Sequence, residues 1–160
     1  MTHRGRDRAA VVAALDSAGM ILPTVNPPLA DYRPAVRTPD TIYTAGQLPI
    51  VDGVLSAGTV GNGGMSTQQA AADAGRAALS AIAAAFGVAA ETELLRPVKV
   101  TVFVAALPGF VELPLVADGA SAVFGAAFDL PHARSAVGVA ALPRGASVEV
   151  EAIFAVAGLG

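Results

Sequence analysis

The chain has 160 residues, no cysteine, and a formal net charge of −3 from 10 Lys and Arg against 13 Asp and Glu. That length suits one domain with room for a core; the missing thiols exclude disulfides, thiolate zinc sites and a thiol nucleophile; and the mildly acidic balance argues against nucleic acid, whose phosphates need a clustered basic face. Hydrophobic residues make up 54% of the chain but aromatic ones only 5%, so the core must be built from small Ala and Val side chains, and an apolar surplus of this kind is expected to end in a subunit interface.

No apolar run approaches the roughly 18 to 20 residues that a membrane helix needs, so no membrane partner is expected and the cytoplasm is the default compartment. Arg4, Arg6 and Arg8 ahead of a short Ala and Val run resemble a signal peptide faintly, but Asp16 interrupts the run and no cleavage motif follows. With Asp7 and Asp16 beside them, the three arginines are expected to form a solvated tail. Residues 7–18 carry Val11, Val12 and Leu15 at helical spacing with Gly19 as a stop, which predicts a short helix packed on the outside. Residues 20–34 hold Pro23, Pro27, Pro28 and Pro34, too many for a helix, and predict an extended connector with Tyr32 near its end. The chain thus divides into a helix and connector over 1–30 and the domain proper over 31–160.

Residues 35–37 and 41–45 read as two strands around a Pro39-Asp40 turn, closed by Gly46-Gln47, and Val51-Asp52-Gly53-Val54 is a hairpin turn of the Asp-Gly type. The glycine-rich stretch 58–64 has no Lys-Ser/Thr after it, fits neither common phosphate-binding fingerprint, and is expected to be a plain flexible connection. Ser66-Thr67-Gln68-Gln69 is a capping box that opens a helix to about residue 86, with Leu79, Ile82 and Phe86 on its buried stripe and Gly75 letting it approach its sheet. Residues 94–105 form the longest predicted strand, with Val98, Val100, Val102 and Val104 toward the helices and Lys99, Thr101 and Phe103 on the other face. A second amphipathic helix is expected over 110–128, with Leu113, Ala117, Ala120 and Phe124 buried, Pro114 in the first turn and Asp118 inside.

Residues 133–141 are apolar and uncharged apart from Arg134, Leu142-Pro143-Arg144-Gly145 suits a type I turn, and 147–155 alternate, so the three together predict a hairpin. Val148, Val150, Ala152 and Phe154 point one way, Glu149, Glu151 and Ile153 the other. Two readings of the charges stand open. One is a solvent-facing side, where they contribute little. The other is an anion site in which the planar fork of Arg134 holds a carboxylate, an interaction of about 1.5–3 kcal/mol when partly dry. Paired simply about its turn, the hairpin sets Arg134 opposite about residue 154, and Glu149 then lies roughly 16 Å along the strand. A site that uses both has to be assembled between subunits. His132 is expected to make a local backbone hydrogen bond, and two histidines without cysteine make a metal site improbable. Apolar faces on one side of every strand call for helices on one face of a mixed sheet, an α+β two-layer domain.

The run His132-Ala133-Arg134-Ser135-Ala136-Val137-Gly138-Val139 with Leu142-Pro143 and Val148-Glu149-Val150-Glu151-Ala152-Ile153 resembles the signature of the RidA (YjgF) family, also called endoribonuclease L-PSP. Tyr32, the block Tyr43-Thr44-Ala45-Gly46-Gln47-Leu48-Pro49 and Thr101-Val102-Phe103-Val104 extend the resemblance, while residues before about Pro28 look like the extension of a longer subgroup. The resemblance implies a chorismate-mutase-like fold, a homotrimer with ligand sites between subunits, and hydrolysis of reactive enamines and imines, such as 2-aminoacrylate, to 2-keto acids and ammonia with no cofactor. It implies that Arg134 holds the substrate carboxylate with help from the Gly46 amide, that Glu149 orients or activates the water, and that Tyr32 closes the pocket from the adjacent subunit. Ala136 stands where the family often has a cysteine, Ala45 where it has a serine and Gly138 where it has a glutamate. Asp118 falls one residue from the place of a pocket asparagine. The alternative is a trimer that binds a small carboxylate, a 2-imino or 2-keto acid, without this catalysis.

Overall fold

The computed structural model describes residues 5–25, 27–28 and 30–158, so Arg4 lies outside them. Asp7 caps helix α1 (Arg8–Ser17) by accepting from the Ala10 amide, Val11 and Leu15 are its buried stripe, and Gly19 at φ 73° ends it. The extended connector leads to strands β1 (Ala35–Thr38) and β2 (Thr41–Thr44). Asp52 and Gly53, both at positive φ, make the tight turn between β3 (Ile50–Val51) and β4 (Val54–Leu55). Helix α2 (Thr67–Phe86) opens on the expected capping box of Ser66 and Gln69. Strand β5 (Glu93–Ala105), helix α3 (Leu113–Phe128), strand β6 (Ala133–Val139) and strand β7 (Val148–Gly158) complete the chain.

The main sheet runs β1-β2-β7-β5-β6, and β3 with β4 forms a separate ribbon. Among the described strands of this sheet only β5 and β6 are parallel neighbours, so the sheet is mixed, as expected. Helices α2 and α3 pack on each other and on one face, over Val100, Val102, Val104, Val148, Val150, Ala152 and Phe154, all at most 1% exposed. Phe124, Phe128 and Phe154 meet at ring-centroid distances of 5.8–6.4 Å and fill the space that the alanines leave. Among the described residues no helix covers the other face.

The expected hairpin of residues 133–155 does not form. Strand β5 lies between β6 and β7, pairing parallel with the first and antiparallel with the second. Parallel neighbours need a crossover, and α3 supplies it between β5 and β6. The turn is a short 3-10 segment at Pro143–Gly145, with Arg144 at φ 57°, that carries the chain past the end of β5.

Smaller expectations also change. Val98 is 38% exposed because the strand shifts register between Pro97 and Lys99; proline cannot donate to a ladder, and the extra residue bulges out. Alanines rather than Leu79 make most of the α2 stripe. Gly75 faces α3, not the sheet, and the closest helix approach is at Gly119, where a Cβ would lie 1.9 Å from the Ala71 carbonyl oxygen. The stretch 58–64 is pinned: Val60 is fully buried, its amide donates to Ala105 and its carbonyl accepts from Leu107. Arg6 is no solvated tail, since its backbone bridges Leu95 and its guanidinium donates to the Ala127 carbonyl at 2.9 Å.

Candidate functional site

The uncovered face is where the chemistry collects. Register places Lys99, Thr101 and Phe103 of β5 beside Ile153, Glu151 and Glu149 of β7, the shared mixed surface that the alternation predicts. Past the end of β2, Gln47 exchanges two backbone hydrogen bonds with Val150, at 2.8 and 2.9 Å. That bridge presses Gly46 against the neighbouring Glu149. A Cβ at position 46 would lie 1.6 Å from Glu149 Oε1, so a glycine is what lets the carboxylate sit there. Burial, helped by the charge of Glu151, holds the Glu149 carboxyl above the usual carboxylate range. Lys99 Nζ donates to Ser135 Oγ at 2.6 Å on the same face.

Tyr32 and Gly46 line one cleft, walled by Pro27, Pro28 and Pro34 of the connector and by Gln47, Leu48 and Ile50. Gly46 thus borders both the cleft that Tyr32 lines and the Glu149 carboxylate.

Arg134 belongs elsewhere. It pairs in register with the buried Val100 and so projects from the edge strand to the helix side, where its Nη1 donates to Asp118 Oδ1 at 2.7 Å and to Ser121 Oγ at 3.1 Å. Ser121 Oγ also meets His132 Nε2 at 3.1 Å, a side-chain contact in place of the expected backbone bond. His132 Nδ1 is buried without a hydrogen-bond partner among the described residues, and desolvation together with the Arg134 charge holds the ring below its ordinary pKa, in the neutral form. Ala136 pairs with Val102 and packs on the core from this same side, and a Cβ at Gly138 would touch Leu113.

Sequence reasoning brings Arg134 and Glu149 to different places, and the structure agrees for a different reason. They sit three register positions apart and two strands across, about 10 Å in each direction, on opposite faces of the sheet. No single copy can close both on one small molecule.

One polar cluster went unseen in the sequence. Asp73 of α2, 1% exposed, accepts from Ser56 Oγ at 2.6 Å, Ser147 Oγ at 2.7 Å and Arg76 Nη1 at 2.7 Å. It ties α2 to the end of β4 and the start of β7. Only the Arg at i+3 was local enough to hint at it. Among the described residues no three His, Cys, Asp or Glu side chains group as metal ligands, and no helix is long and apolar enough to cross a membrane.

The family model described as endoribonuclease L-PSP matches residues 24–156. Protein TCP17 of Trypanosoma cruzi is 40% identical over 150 residues, which cover 89% of this chain and 92% of that protein. The crystal structure of the protein Atu1372 from Agrobacterium tumefaciens superposes with a TM-score of 0.81 at 32% identity, over 93% of this chain and 94% of that one. The YjgF gene product of E. coli superposes with a TM-score of 0.60 at 25% identity, over 82% and 93% of the two chains.

Proposed function

We propose, on the premise that this chain belongs to the endoribonuclease L-PSP family, the YjgF/RidA group, that it hydrolyses small reactive imines and their enamine tautomers to 2-keto acids and ammonia at sites completed by a second copy of the chain. The observation that carries this reading is the seat of Glu149: a half-buried carboxylate, raised in pKa, lying over Gly46 on the face that no helix covers.

The chemistry asks little of the protein. An imine carbon is already electrophilic, so the site has to hold the substrate carboxylate, place a water and move one proton. With the imine nitrogen protonated, Glu149 takes a proton from water as the water oxygen bonds to the carbon and the C=N electron pair moves to nitrogen, giving a neutral carbinolamine. Glu149 then returns that proton to the amine nitrogen, the hydroxyl oxygen's electrons close the C=O bond as ammonia leaves, and the hydroxyl proton passes back to Glu149 or to water. A carboxylate with a raised pKa suits both the acceptance and the return. The Gly46 amide would donate to the substrate, beside the cleft that Tyr32 and the connector prolines line. Arg134 of another copy would grip the substrate carboxylate through the planar guanidinium.

A specific observation keeps a second reading, carboxylate binding without catalysis. Positions 45, 136 and 138 are Ala, Ala and Gly, so they add no side-chain donor or acid. RNA cleavage has no place in either reading, because Glu149 and Glu151 would repel phosphates and Asp118 already neutralises Arg134. Tight binding of single-stranded RNA at physiological salt would overturn that exclusion.

The deciding assay generates 2-iminobutyrate in situ and follows ammonia release above the spontaneous rate. Glu149→Gln keeps size and hydrogen bonding but removes the base. A loss of at least about tenfold, or about 1.4 kcal/mol of barrier, with 2-oxobutyrate binding retained, supports the enzyme. Wild type that binds 2-oxobutyrate through Arg134 yet gives no acceleration supports the binding reading.

A further inference from the structure

We infer that Asp118 makes the Arg134 site selective for a zwitterion, an α-amino acid or a protonated α-imino acid, over a simple monoanion such as a 2-keto acid. The inference rests on the proposed role of Arg134 in gripping a carboxylate and says which carboxylates it accepts.

The geometry is that of a two-charge receptor. Arg134 commits one terminal nitrogen, Nη1, to Asp118 and to Ser121. Nη2 and Nε have no hydrogen-bond partner among the described residues, which leaves a donor edge for an incoming carboxylate. The Asp118 side chain is 61% exposed and that of Arg134 25% exposed, so the negative member of the pair faces outward beside the positive one. Ser121 helps hold the arginine head in place and is itself anchored on His132.

A guanidinium that already carries a carboxylate at 2.7 Å has lost most of its net attraction for a second anion, which must also approach Asp118. A ligand bearing an ammonium or iminium one carbon from its carboxylate meets the pair charge for charge, the carboxylate on the free guanidinium edge and the nitrogen on Asp118. The substrate of the proposed reaction has that form when its imine is protonated. The keto acid product does not, so hydrolysis removes the group that Asp118 recognises and favours release.

The test is calorimetric titration of the full chain with 2-aminobutyrate and 2-oxobutyrate, which differ at one carbon substituent. Wild type should bind the amino acid at least about tenfold more tightly. Asp118→Asn, isosteric and at an exposed position, should erase or reverse that ratio, strengthening the keto acid and weakening the amino acid. Asp118→Glu, which keeps the charge, should keep the preference. Arg134→Ala should abolish both. Arg134-dependent binding whose ratio does not change in Asp118→Asn overturns this inference alone. Binding that does not depend on Arg134, or no binding of either compound, overturns it together with the carboxylate reading.

Discussion

Glu149 shows how one residue trades stability for chemistry. Its folded pKa is raised, chiefly by desolvation and further by Glu151, so between the ordinary carboxylate value and the raised one the folded state binds a proton that the unfolded state has released. Stability contributed by this group is present at pH below that window and is lost as pH rises through it. Glu149→Gln carries no such charge. Its melting temperature should exceed that of wild type at pH 7, and the gap should close as the pH falls to about 4, which a pair of thermal melts at the two pH values would check. A gap that is absent at pH 7, or that widens in acid, would show the carboxylate to be satisfied by a partner. The rate has the opposite sense: a base must be unprotonated, so wild-type turnover should fall as pH drops through the raised value. The alternation of residues 147–155 made the orientation of Glu149 legible in the sequence. Its contact with Gly46 was not, because a steric fit between residues about 100 positions apart leaves no local pattern.

At the scale of elements, the two main helices are held together by what they lack. Where Gly119 of α3 crosses Ala71 of α2, a Cβ would meet a backbone oxygen at 1.9 Å, and backbone cannot swing aside as a side chain can. Gly119→Ala should therefore force the helices apart and cost about 1–3 kcal/mol. Gly75→Ala is the control: its Cβ would sit at 3.4 and 3.5 Å from α3, in ordinary contact, and the better helix propensity would offset any strain by up to about 1 kcal/mol. Denaturant unfolding of the two variants reads the difference, and equal costs would refute the crossing as the reason for Gly119. The helices, the capping box and the Asp-Gly turn were all legible because each is written in residues within one turn of one another. The supposed hairpin was not, since a Pro-Gly turn specifies a reversal of direction but not whether another strand lies between the two arms. Inserting β5 there moved Arg134 to the helix side of the sheet and joined it to Asp118.

The whole molecule is a half-finished sandwich. One face of the main sheet carries α2 and α3; the other carries Lys99, Thr101, Phe103, Glu149, Glu151 and Ile153, with Val36 56%, Tyr43 47% and Val137 39% exposed around them. Antiparallel sheets tolerate a wet face, but this one is neither clearly polar nor clearly apolar, which is the composition of a surface that meets another protein surface. Since Arg134 and Glu149 lie on opposite faces, a site that uses both needs that second copy, and a homotrimer with its sites between subunits is the assembly we propose. Light scattering at micromolar concentration should give about three times the mass of the 15.9 kDa chain. Ile153→Arg supplies the sharper measurement, because Ile153 points out from the middle strand of the uncovered face. On a solvated face it would change stability by no more than about 0.5 kcal/mol and leave the mass alone. Within a subunit interface it would bury an unpaired charge, split the assembly and remove imine hydrolysis while each copy keeps its fold. A wild-type monomer, or a trimer that Ile153→Arg leaves intact, would mean that the copies do not meet on this face, and the site would have to be sought at the Tyr32 cleft of a single chain.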